Sequence, residues 1–120
     1  MVDKIREVAP DICIDYKLPV VTENPLRGKG GLMIDEAVEF AKILERSGVD
    51  MIHVGQANHT GNMNDTIPAM GTQPYCFMSK YTKQIKEAVS IPVSSVGRIV
   101  TPENAEALIE NGVCDIVGLG

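Results

Sequence analysis

The sequence predicts an α/β fold, a parallel (βα) half-barrel, and three observations lead there. The first is the stretch IPVSSVGRIVTPENAEALIENGVCDIVGLG at 91–120. It reads as strand, glycine turn, capped helix, glycine stop and strand, and two strands joined so briefly through a helix must be parallel neighbours. The second is an internal repeat. IREVAPDICID resembles IKEAVSIPVSS 80 residues later, and SGVDMIHVG resembles NGVCDIVGLG 64 residues later, about two βα units each. The third is a count. Four strands and three complete helices fit in 120 residues, whereas a full TIM barrel takes ~200 to 400 residues.

Each element has its own signal. Val2, Ile5 and Val8 recur every third residue and Pro10 ends that helix. No cap or earlier strand precedes Val2, so residues 1–120 are expected to be a fragment of a longer chain. Residues 12–18 alternate as a strand, with Ile12, Ile14, Tyr16 and Leu18 on one face and Cys13, Asp15 and Lys17 on the other. A Pro- and Gly-rich loop at 19–31 carries Glu23, Arg27 and Lys29, read as solvated charges. Residues 34–47 form a helix with Asp35 and Glu36 in its first turn and Gly48 as its stop. Residues 51–54 are the second strand and 77–89 the third helix, separated by an irregular run at 55–74. A run that long suggests a substrate loop or lid. Strand 92–96 is broken by Gly97. Thr101, Pro102 and Glu103 then open the last helix as N-cap, first-turn proline and first-turn acid. Asn111 and Gly112 close it, and 114–117 is the last strand.

Composition narrows the function. The chain is 13.0 kDa and 44% hydrophobic, enough for one aliphatic core. A net charge of −5 argues against nucleic-acid binding. Absence of a signal peptide or long apolar span predicts a soluble cytoplasmic protein with no membrane partner. Cys13, Cys76 and Cys114 show neither CxxC nor Cys/His spacing and are expected to be buried free thiols. No metal site is expected.

Both strands of 91–120 end in glycine, which lets a ligand approach backbone N–H groups. The loops after the last two strands of a βα barrel commonly hold a phosphate. That is the expected site here.

The order of GGLMIDEAVEFAKILERSGVDMIHV, IKEAVSIPVSSVGRI and TPENAEALIENGVCDIVGLG resembles the later half of the Old Yellow Enzyme family. These are FMN-dependent NAD(P)H:flavin oxidoreductases and ene-reductases, and the likeness extends to the 2-enoate and dienoyl-CoA reductase branch. It covers nearly the whole chain, as strands 5–8 of the barrel. It implies FMN as cofactor, NAD(P)H as reductant and an electron-poor alkene as substrate. The implied phosphate ligands are backbone amides of Gly97, Arg98, Leu119 and Gly120, with Gly118 just before the last two. Family members usually carry an arginine after the position of Gly120, so the phosphate site is expected to be incomplete here. Lys17 takes the place of the family's fifth-strand cation beside the flavin, where it would stabilise the charge gathered on reduction. By itself Lys17 reads as a strand-end lysine reaching for water.

The remaining candidates are weaker. His53 is expected to point into the barrel with Asp15 and Ser95, first as a satisfied interior histidine and second as a proton carrier. His59 reads as a loop residue. Met63, Met70, Cys76 and Met78 suggest either an apolar wall for a planar substrate or gap filling. The fourth-strand residues that activate the family's substrates fall outside this sequence, so no catalytic residue is assigned and these residues alone are expected to be inactive. Exposed sheet edges and inner faces, Met51, Val93 and Val117 among them, predict a homo-oligomer or completion by the other half-barrel. Two other readings remain open: a non-catalytic half-barrel that self-associates, and a phosphate-binding barrel of another class.

Overall fold

The computed structural model describes residues 1–21, 31–55 and 73–119. Glu23, Arg27, Lys29, His59, Met63, Met70 and Gly120 lie outside the described residues, as does most of the 55–74 run. The elements are α1 (Val2–Val8), β1 (Asp15–Pro19), α2 (Ile34–Arg46), β2 (Met51–Gly55), α3 (Ser79–Ala88), β3 (Val93–Ser95), α4 (Pro102–Glu110) and β4 (Ile116–Val117). Among the described residues the four strands form one parallel sheet in sequential order, β1-β2-β3-β4. The predicted parallel half-barrel is what the chain forms.

One face of the sheet carries the core. Leu18, Ile52, Val54 and Val93 are fully buried, and Ala37, Ala41 and Leu44 of α2 and Ile85 of α3 complete the same cluster. Burying each large aliphatic side chain contributes ~1.5–3 kcal/mol. Tyr16 meets Phe40 of α2 edge-on, with ring centres 6.0 Å apart. A smaller cluster of Ile99, Leu108, Val113 and Cys114 lies under α4. The caps follow the sequence. Thr101 Oγ1 accepts from the Asn104 N–H at 3.2 Å, with Pro102 opening α4. At α2, Glu36 Oε2 accepts from the Met33 N–H at 3.0 Å.

The internal repeat has a structural counterpart where the strands begin. Asp50, just before β2, accepts from the Ile14 N–H at 2.7 Å and pairs with Arg6 of α1. Asp115, just before β4, accepts from the Val93 N–H at 2.8 Å and pairs with Lys86 of α3 at 2.8 Å. Each clamp ties a helix to the strand that follows it and to the start of the next strand. In both, an acid satisfies an amide at or just before the start of a strand while a helical cation neutralises the acid.

Three expectations need correction. β1 begins at Asp15 rather than Ile12. Arg6 Nη1 donates to the carbonyls of Pro10 and Ile12, and the Ile12 N–H donates to Ala9 O, which holds residues 9–12 in a turn. Ile12 is therefore 53% exposed, and Cys13 is exposed rather than buried. β4 is shortened to Ile116–Val117 because the Asp115 carboxylate turns back to the Val93 amide. Val93, Ser95 and Val117 face the helices, not the barrel interior. The register Ile52↔Val93, Val54↔Ser95 and Ser95↔Val117 puts them on the core side, where Val117 packs against the cluster under α4. The run Val93-Ser94-Ser95-Val96 reads the same after a one-residue slip, so alternation alone could not choose its faces.

Candidate functional site

Ligands of parallel barrels gather at the ends of the strands, and two groups of residues stand there. The first is a row across the inner face. Lys17 of β1 is opposite His53 of β2, His53 is opposite Ser94 of β3, and Ser94 is opposite Ile116 of β4. Gly55 makes room for this row. A Cβ on Gly55 would stand 3.3 Å from Lys17 Cε and 3.7 Å from His53 Cδ2, so both side chains lie across it. Ser94 is 4% exposed, and among the described residues its Oγ has no hydrogen-bond partner. A buried hydroxyl left unpaired is unusual and leaves a donor and acceptor open on that face.

His53 thus shares its face with Asp15 as expected, but its β3 neighbour is Ser94 rather than Ser95. Ser95 is buried on the opposite face with its Oγ 3.0 Å from Thr82 Oγ1. Thr82 Oγ1 already donates to Met78 O at 3.1 Å, so the Ser95 hydroxyl is the donor between them.

The second group is the pair of turns after β3 and β4. Gly97 has φ +113° and Arg98 φ +51°. A turn of this kind takes the backbone out of the ladder, so its N–H groups are not committed to a neighbouring strand. Among the described residues, the N–H groups of Gly97, Arg98 and Leu119 have no hydrogen-bond partner. The Gly118 N–H, by contrast, donates to Ser95 O at 2.8 Å and is engaged in the sheet. Gly118 is also tightly enclosed, since a Cβ there would stand 2.6 Å from Val96 Cγ1. This donor set fits a phosphate of the size carried by FMN: unpaired amides on adjacent strand ends, with glycine where the backbone is closely approached.

The Arg98 side chain does not hang free. Its Nη1 donates to Gln73 O and its guanidinium lies 4.8 Å over the Tyr75 ring. Residues 73–78 surround this turn and drew little notice in the sequence, where only Cys76 and Met78 stood out, as a soft wall. Met78 is buried in the core beneath Gly97. Cys76 is half-buried, and burial pushes its thiol pKa up, as it does that of Cys114, where the Asp115 charge adds to the effect. Raised thiols are poor nucleophiles. Among the described residues no group of three His, Cys, Asp or Glu side chains could hold a metal ion, and no helix is long and apolar enough to cross a membrane.

No family model matches the chain. It is 98% identical over 120 residues to a bilirubin reductase of Mediterraneibacter gnavus, matching with 100% of its own length and 19% of that protein. A bilirubin reductase of Clostridium symbiosum is 35% identical over 96% of this chain and 31% of the relative. An NADH oxidase of Thermoanaerobacter brockii is 33% identical over 97% of this chain and 18% of the relative. The chain spans less than a third of the length of each of these relatives. Their names, all of oxidoreductases, broadly support the Old Yellow Enzyme-like family to which the sequence pointed.

Proposed function

We propose that this chain is the cofactor-phosphate part of an FMN-dependent NAD(P)H oxidoreductase of the Old Yellow Enzyme kind, acting as an ene-reductase. The observation that carries this reading is the set of Gly97, Arg98 and Leu119 amides, unpaired among the described residues, at the same C-terminal end of the sheet as Lys17. FMN, when bound, supplies a carrier between the nicotinamide and an electron-poor C=C bond. Overall, NAD(P)H gives a hydride and solvent a proton, and the alkene becomes a saturated CH–CH unit.

The chain's own residues do three things in this account. The amides of Gly97, Arg98 and Leu119, with Gly120 outside the described residues, hold the phosphate, each charge-assisted bond contributing ~1.5–3 kcal/mol. Lys17, exposed on the inner face, would be the cation available to bound flavin, where a positive charge would favour the more negative, reduced state. His53 and Ser94 line the face beside Lys17 and orient polar groups there. The substrate favoured by the relatives' names is bilirubin.

Open sheet edges at β1 and β4 leave unpaired strands in these residues. Covering them by the rest of a longer polypeptide, or by a second copy, completes this account. The test is a full-length protein carrying this sequence, examined for bound FMN and for anaerobic NAD(P)H consumption dependent on bilirubin. Stoichiometric FMN with bilirubin-dependent turnover supports the reading. A protein that binds phosphate esters but no flavin points instead to a barrel of another class.

A further inference from the structure

We infer that residues 73–78 form a bracket that holds the Gly97–Arg98 turn in its phosphate-binding form, with Tyr75 as a positioning residue. The inference rests on the FMN reading above.

The turn is gripped on three sides. Its side chain is held by the Gln73 carbonyl, which accepts from Arg98 Nη1, and by the Tyr75 ring 4.8 Å from the guanidinium carbon. Its carbonyl is held by the Cys76 N–H, which donates to Arg98 O at 3.2 Å. Its α-carbon face is closed by α3's leading turn: a Cβ on Gly97 would stand 2.8 Å from Phe77 Cε1 and 2.9 Å from Met78 Cγ. Among the described residues, the N–H groups of the turn are the part that no hydrogen bond engages.

This arrangement answers a physical difficulty. Arg98 carries a Cβ at φ +51°, a conformation that L-residues avoid unless the surroundings impose it. Cys76, which supplies one of the grips, is itself at φ +54°. Two left-handed residues facing one another across a hydrogen bond are held by the contacts around them rather than by their own preferences. The guanidinium is occupied by a carbonyl and a ring, so Arg98 serves an anion through its amide, and its side chain works as the handle that sets the amide's direction. Tyr75 is 59% exposed, and its ring contributes to this grip rather than to the core.

The consequence is specific to the phosphate. Loosening the bracket weakens binding of FMN but not of riboflavin, which presents the same rings without the phosphate. The experiment uses the full-length protein freed of flavin, with FMN and riboflavin affinities measured by fluorescence quenching for Tyr75→Leu, Tyr75→Phe, Arg98→Met and the double variant Tyr75→Leu/Arg98→Met. Tyr75→Leu is expected to weaken FMN about fivefold, the loss of an exposed cation–π contact, with riboflavin unchanged and Tyr75→Phe restoring FMN binding. The double variant should be no weaker than Arg98→Met alone, because the two residues act as one unit. FMN affinity unchanged in Tyr75→Leu overturns the bracket and leaves the cofactor reading standing. Equal losses for FMN and riboflavin make Tyr75 merely structural and also overturn it. If the unmutated protein binds FMN no better than riboflavin, the cofactor reading fails and the bracket's role falls with it.

Discussion

Lys17 stands directly opposite His53 in the parallel β1–β2 ladder, and both side chains lie across Gly55. A strand glycine usually weakens a sheet. Here its missing side chain opens a shelf on which a cation and an imidazole lie side by side, facing the barrel interior. The same row continues to the unpaired hydroxyl of Ser94. Lys17, His53 and Ser94 make this part of the inner face polar where the outer face is aliphatic.

Gly55→Ala tests the shelf. Its added methyl would stand 3.3 Å from Lys17 Cε, a flexible atom that can yield, so the fold should survive with a stability loss of ~1 kcal/mol or less. The displaced Lys17 should slow NAD(P)H-driven turnover of the full-length enzyme several-fold. Unchanged kinetics would show that the position of Lys17 is immaterial.

The buried pair Thr82–Ser95 gives a stability prediction. Both residues are essentially inaccessible and joined at 3.0 Å. Thr82→Val leaves the Ser95 hydroxyl without its acceptor and should cost about 1–3 kcal/mol. Adding Ser95→Ala should recover part of that loss, because no unpaired group then remains. Chemical denaturation of the two single variants and the double variant decides it, and strictly additive losses would contradict the pairing.

Asp115 predicts a pH dependence. Burial alone would raise its pKa, but Lys86 and the Val93 N–H outweigh it and hold the carboxyl below its ordinary value of 3.8. A depressed folded-state pKa means that the clamp's contribution is complete above about pH 4 and disappears as pH falls through the lower folded value. Asp115→Asn should therefore destabilise by about 1 kcal/mol at neutral pH, a modest figure because the pair is partly exposed to solvent. The gap should narrow once the pH falls below the ordinary carboxylate value and close below the lowered folded value. Denaturant midpoints measured at neutral pH and in acid would show an undiminished gap if the clamp were not electrostatic.

Gly118 tests the closeness of the last turn. A methyl there would come within 2.6 Å of Val96 Cγ1 on the neighbouring strand, which must then shift. Gly118→Ala should lower stability by about 1–3 kcal/mol and weaken FMN more than riboflavin, since Leu119 moves with it. An unaltered thermal midpoint would mean that the two turns are not packed as described.

Much of this was legible in the sequence because its signals are local. Thr101-Pro102, Gly48 and Gly112 mark helix ends by their own backbone chemistry, and the repeat gave the parallel order. The glycine turns were visible for the same reason, whereas Lys17 was singled out only by the family resemblance. What escaped depends on partners distant in the chain. Arg6 reaches across to Gly48 and Asp50, and so shortens β1 in a way that no periodicity records. The faces of β3 were hidden because Val-Ser-Ser-Val is symmetric. Tyr75 and Phe77 resembled any residues at the start of a helix, which begins at Ser79 rather than Phe77, and only the approach of Gly97 and Arg98 shows their use.

The most direct measurement is the two-electron reduction potential of FMN in a full-length protein carrying Lys17→Met, compared with the unmutated protein, each with its FMN occupancy determined. The account predicts a potential lower by roughly 30 mV, the equivalent of ~1.4 kcal/mol for a two-electron couple, and slower reduction by NAD(P)H with FMN still bound. Equal potentials and equal rates at full occupancy would contradict the role given to Lys17, and the absence of FMN from the unmutated protein would contradict the account as a whole.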